Sequence, residues 1–201
     1  PGPDLSADEL AAWAAATAPE TVVACGTLAL INRDRLTHTG RIDYLTGLER
    51  VRAWLDAGQQ LVLGDIATGR TPYADDLMAN QLTEDGELTG ETHAQMWVAE
   101  DVAAALHLAP TTAGARLRAA ATLCRLFPLT VNAMRDGRVS GFQASILIQE
   151  TRTALDGLDP ESEALTAAAV EARVLDRVEG QAVGQFRTSV RRRTAHCGPS
   201  G

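Results

Sequence analysis

Apolar residues return every three or four positions through most of this chain, and the segments that carry them open on helix-start spellings. Ser6 with Glu9, and Ser140 with Gln143, spell capping boxes, in which a hydroxyl takes the N3 backbone N–H and the N3 side chain reaches back to the cap. Asp159 before Pro160 reads as an N-cap followed by proline at the first helical position. β-branched runs are short, and alanine supplies 35 of the 201 residues against eight aromatics, so local propensity disfavours sheet. The expected fold class is all-α, a multi-helix bundle containing a helix-turn-helix-like unit at Trp97 to Phe127.

The punctuation divides the chain. Ala7 to Ala18 forms the first expected helix, closed before Pro19, and a second runs over about Glu20 to Asn32. After a break at Thr37 to Gly40, the spacing of Leu45, Leu48, Val51, Leu55, Leu61, Val62 and Ile66 predicts one long amphipathic helix to Ala67, a core or pairing helix. Acids, glycines and Pro72 then crowd Gly69 to Gly90 and the helical spacing disappears, which marks a linker or loop. The expected organisation is N-terminal helices over 1–68, an acidic linker over 69–90, a helical domain over 91–195 and a disordered tail over 196–201. Within the helical domain, one helix is expected to end near Asp136 ahead of Gly137. The next runs to about Leu155, another from Pro160 to about Val178, and a last one from Val183 to Arg193.

The formal net charge of −8 is unevenly spread. Residues 1–90 hold 14 acids against 6 arginines, whereas 110–155 hold 6 arginines against 2 acids, a basic island of the sign that a phosphate backbone attracts. All 18 basic residues are arginine, and alanine and glycine abound, a coding bias of GC-rich bacteria. Cys25, Cys124 and Cys197 are odd in number and share no metal or redox spacing, so reduced thiols and a cytoplasmic location are expected. The longest apolar stretch, Val22 to Ile31, is too short to span a bilayer, and no basic segment precedes it as in a signal peptide. The chain opens on Pro1 rather than methionine, as expected either of an artificially chosen start or of a fragment.

The most informative segment is Glu100 to Leu117. Val102, Ala103, Leu106 and Leu108 make the apolar face of a first helix, Pro110 starts a second, and Ala113 and Leu117 pack back, with Ala103 as the small residue two crossing helices need. The first turn of the second helix places Thr111, Thr112, Ala115 or Arg116 where base edges lie when such a helix enters a major groove. His107 stands at the turn position usually filled by glycine, and Ala109 where a Ser or Thr cap is expected. Arg118, Thr122 and Arg125 align on one face, and Arg116, two positions from Arg118, points elsewhere. Arg187, Arg191, Arg192 and Arg193 form a second cationic run, which complements a helix C-terminus and offers further phosphate contacts.

Catalytic spellings are absent. His38, His93, His107 and His196 lie in different segments, none at metal-site spacing, and the adjacent His196 and Cys197 cannot close a site alone. No acid–base pair or glycine-rich phosphate loop stands out, so neither a metal nor a cofactor is expected.

Four blocks in order, RIDYLTGLERVRAWLDA (41–57), VAAALHLAPTTAGARLRAA (102–120), LFPLTVNAMRDGRVSGFQA (126–144) and VEARVLDRVEGQAVGQFRTSVRRR (170–193), resemble domain of unknown function 222 (DUF222). That domain is the N-terminal part of actinobacterial HNH endonuclease-like proteins, also called the 13E12 repeat family. In that family the nuclease is a later domain with its own His-Asn-His metal motif, which no stretch here matches. The resemblance therefore implies a non-catalytic helical domain and transfers no catalytic residue. The expected partner is double-stranded DNA, with Thr111, Thr112, Arg116, Arg118, Arg125, Arg187, Arg191 and Arg192 as candidate contacts. The alternative expectation is an interaction module, a homodimer through the long Arg41 to Ala67 helix, without nucleic-acid binding.

Overall fold

A computed structural model describes residues 6–19, 22–69, 90–178 and 181–195, the side chains of 22, 23 and 90–96 excepted. The fold is all-α: among the described residues there are nine α-helices and no strand. They are α1 (Ala7–Ala16), α2 (Val22–Leu30), α3 (His38–Ala67), α4 (Gly90–Leu106), α5 (Pro110–Leu126), α6 (Pro128–Arg135), α7 (Gly141–Leu155), α8 (Pro160–Leu175) and α9 (Val183–Ala195), with a short 3₁₀ turn at Arg33–Arg35. The linker expected at 69–90 lies almost wholly outside the described residues, as do Glu20, Gly180 and the tail with His196 and Cys197.

The chain divides into two compact units that do not follow its linear segments: 1–58 with 128–201, and 59–127. Unit 1 therefore leaves the chain inside α3 and regains it at Pro128. One of its clusters gathers Ala11, Ala14, Leu28, Ile31 and Leu36, with Tyr44 and Val51 alongside. In its C-terminal part α9 packs on α7 and α8, and α6 packs on α8; Met134, Ile146, Leu147, Val170, Val174, Phe186 and Val190 are fully buried there. Unit 2 holds the last turns of α3 with α4 and α5, around Leu63, Ala99, Val102, Ala103, Ala113, Leu117 and Ala120.

Local chemistry accounts for the helix starts. Both capping boxes form, Ser6 Oγ accepting from Glu9 N–H and Ser140 Oγ from Gln143 N–H, and Asp159 accepts from the N–H groups of Glu161 and Ser162. The break expected at Thr37 to Gly40 is instead the start of α3. Thr37 Oγ1 accepts from Gly40 N–H at 3.1 Å, and Asp8 of α1 accepts from Thr37 N–H at 3.1 Å. A Cβ at 40 would sit 1.8 Å from the Asp8 carboxylate oxygen, so glycine there leaves room for Asp8 to hold Thr37 N–H. Helix α6 follows Phe127, which has no acceptor to offer as a cap. Glu171 of α8 supplies one, taking Thr130 N–H at 2.6 Å while itself only 1 % exposed. Burial pushes the Glu171 carboxyl above its usual range, against the pull of the Thr130 and Leu129 N–H groups.

The helix ends follow a similar logic. Helix α6 closes with a Schellman arrangement: Arg138 N–H reaches Ala133 O at 2.8 Å and Gly137 N–H reaches Met134 O at 2.9 Å, with Gly137 at φ +72°. Arg50 of α3 joins two helix ends, donating through Nη1 to Ala15 O and through Nη2 to Asp136 O. Both carbonyls carry the partial negative charge of a helix C-terminus, which a guanidinium satisfies. The helix expected to reach Val178 stops at Leu175, and the last one continues two residues beyond Arg193.

The apolar stripe of α3 departs most from expectation. Of its seven large residues, Val51 and Ile66 are half-buried, while Leu45, Leu48, Leu55, Leu61 and Val62 are exposed. The residues turned inward are mainly small: Gly47, Ala53, Ala57 and Gly64, with Leu63. Small side chains let neighbouring helices approach closely, so packing selected that face over the one with more carbon.

Candidate nucleic-acid interface

The turn between α4 and α5 is three residues long, His107 to Ala109. Helix α4 ends in a second Schellman arrangement, Leu108 N–H bonding Ala103 O at 2.8 Å and His107 N–H reaching Ala104 O at 3.4 Å. His107 sits at φ +53°, the one non-glycine residue with positive φ among those described. The left-handed position is thus held by a side chain that tolerates it less well than glycine, at a cost on the order of 1 kcal/mol. Ala109 is the N-cap of α5 and makes no side-chain bond to it. Its carbonyl takes the N–H groups of Thr112 and Ala113 at 2.9 and 3.0 Å, and Pro110, which lacks an N–H, leaves one donor fewer to satisfy.

Packing fixes which face of α5 is free. Ala113, Leu117 and Ala120 are buried against α4 and the end of α3, and Gly114 lies close to Ala99. At 100° per residue, the opposite side carries Thr111, Ala115, Arg118, Thr122 and Arg125. Of these, Thr111, Ala115, Arg118 and Arg125 are exposed and Thr122 is half-buried. Thr112 and Arg116, also exposed, share a second line along the flank. Between Pro110 and Arg135 the chain has four arginines and no acid, so α5 carries only positive charge along its own length. Guanidinium groups suit phosphate oxygens, and threonine hydroxyls can bond phosphates or base edges.

The other candidates are held differently. Arg191 of α9 makes a two-pronged contact to Glu150 of α7, with Nε–Oε2 at 2.7 Å and Nη2–Oε1 at 3.1 Å, and Arg187 Nε lies 3.4 Å from Glu150 Oε1. The Arg191 hydrogen bonds hold the Glu150 carboxyl below its usual range and raise Arg191 in turn. One carboxylate thus serves both arginines, and their first role is to tie α9 to α7. Arg192 is exposed. Sequence reasoning found the two arginines at four-residue spacing but not Glu150, 41 residues from Arg191, because no local pattern links them.

Elsewhere the chemistry is quiet. Cys124 is half-buried with Sγ 3.5 Å from Gln60 O, and burial, with Asp65 nearby, pushes its thiol up, away from nucleophilic behaviour. Among the described residues no three His, Cys, Asp or Glu side chains come together as a metal-binding group. No described helix is long and apolar enough to cross a membrane. An open groove of about 450 Å³ in unit 1, lined by Ile42, Leu45, Glu49, Arg50 and Arg138 among others, brings no acid–base pair together. Comparison of the chain with protein-family models, with curated proteins and with solved structures finds no match.

Proposed function

We propose that this chain is a non-catalytic helical domain that binds or positions double-stranded DNA, as the N-terminal, DUF222-like part of an HNH endonuclease-like protein. The observation that carries the reading is the outward face of α5: Thr111, Thr112, Arg116, Arg118 and Arg125 exposed, on a helix without a single acid, behind a three-residue turn. In this reading the Thr111, Arg118 and Arg125 line faces the groove and its phosphates, and Arg116 grips the backbone at the flank. The chain itself is assigned no chemistry, and cleavage belongs to a separate nuclease domain.

The test is fluorescence anisotropy of a labelled duplex titrated with the protein across salt concentrations. Binding that weakens steeply with salt is expected, and Arg116→Ala with Arg118→Ala should reduce the slope of log K against log[salt] by about 2, near 0.9 for each phosphate no longer neutralised. Absence of binding at low salt, or an unchanged slope in the double variant, refutes the assignment to α5.

A further inference from the structure

The exposed face of α3 within unit 1 has a regular spacing. Arg41, Leu45, Leu48, Arg52 and Leu55 follow one another at intervals of four, three, four and three, the a/d seam of a heptad, and all five are exposed. Leu45 and Leu55 are 55 % and 57 % exposed, unusual for leucines on the longest of the described helices. Arg52 and Glu49 stand side by side at the middle, 4.0 Å apart and both largely in solvent.

We propose that this face pairs with the same face of a second copy, the two α3 helices running antiparallel. The charges beside the seam are complementary in that direction alone. With the two-fold axis level with residue 50, Leu45 meets Leu55 of the second copy and Leu48 meets the aliphatic stem of its Arg52, each pairing made twice. Each Arg52 guanidinium then reaches Glu49 of the other copy, so the four charges at the axis cancel. A parallel pair stacks Arg52 on Arg52 in the seam and forgoes this compensation. An arginine at an a position weakens a seam but fixes its register, which suits a specific and modest association. From Arg41 to Leu55 the seam is about 21 Å long. An interface of that length falls below about 1,200 Å² in total, in the range of weak, reversible association. The groove lined by Ile42, Leu45 and Glu49 adjoins the seam and leaves room beside it for the partner's side chains.

Sedimentation equilibrium of the full chain without DNA, over a wide concentration range, tests this independently of the α5 assignment. A reversible monomer–dimer equilibrium is expected, weakened about tenfold or more by Leu55→Glu and by Arg52→Glu, and restored by Arg52→Glu combined with Glu49→Arg. These side chains are exposed, and circular dichroism of each variant checks that its helices are intact. Orientation is read by cross-linking in a Cys→Ala background: mixed Leu45→Cys and Leu55→Cys proteins should give the hetero-disulfide in preference to either homo-disulfide. A monomer at every concentration overturns the proposal and leaves the face to a helix of another protein. A dimer indifferent to Leu55→Glu, a charge swap that fails to restore pairing, or predominant homo-disulfides overturn it equally.

Discussion

Removing the Glu171 carboxylate should unseat the start of α6. Glu171→Ala leaves the N–H groups of Thr130 and Leu129 without their acceptor at a buried helix end, and a buried donor left unmade costs about 1–3 kcal/mol. The missing γ-methylene adds about 0.8 kcal/mol. The expected loss is about 4 kcal/mol, or roughly 10 °C in Tm for a chain of this size. Glu171→Gln keeps an acceptor oxygen and removes a buried charge, and should stay within about 1 kcal/mol of wild type at neutral pH. The pH dependence separates the two roles. Because burial raises the folded-state carboxyl above its unfolded value, its contribution is full below the unfolded value and is lost as pH rises through the folded one. Wild type should therefore gain stability relative to Glu171→Gln as the pH is lowered through the carboxyl range. Urea unfolding followed by helical circular dichroism, at several pH values, reads all three proteins. A loss below about 1 kcal/mol for Glu171→Ala, or an equal loss in the Gln variant, refutes the view of Glu171 as the cap of α6.

Glu150 should behave oppositely. Its folded-state carboxyl is lowered by Arg191, so its stabilisation is present above the unfolded value and lost as pH falls through the folded one; Glu150→Gln should flatten that acid limb in a pH-resolved unfolding series. Gly137→Ala combines positive φ with a Cβ 2.8 Å from Arg50 Cβ and 3.1 Å from Arg50 Cα, and should cost about 2–3 kcal/mol by denaturant unfolding. His107→Gly relieves the same backbone strain in an exposed turn, and should be neutral or stabilising by up to about 1 kcal/mol, with DNA binding unchanged by anisotropy.

The signals that were legible in the sequence are those satisfied within one turn. Ser6 with Glu9, Ser140 with Gln143 and Asp159 with Pro160 each complete their bonds locally, and each marks a helix where expected. Thr37 was hidden because Gly40 reads as a breaker, and its real reason, room for Asp8 of α1, lies 32 positions away along the chain. Glu171 resembles a surface glutamate until its neighbours are counted: Ala167, Val170 and Val174 share its face, a signal that could have flagged a buried carboxylate. The outward side of α5 followed from Ala113 and Leu117, so the exposure of the candidate contacts there was readable. The inward side of α3 was not, since periodicity reveals an apolar stripe without saying whether the core prefers large residues or the glycines and alanines opposite.

Unit 1 is assembled from both ends of the chain, with unit 2 inserted between Gly58 and Pro128. On a ribosome this becomes a matter of timing. Arg50 leaves the tunnel 86 residues ahead of Asp136, whose carbonyl it joins to that of Ala15. At about 5–20 residues per second that interval is roughly 4–17 s. The first three helices must wait through it for partners that do not yet exist, and all of unit 2 is made within that same interval. The inserted unit can therefore fold first, on a chain whose outer unit is still half made.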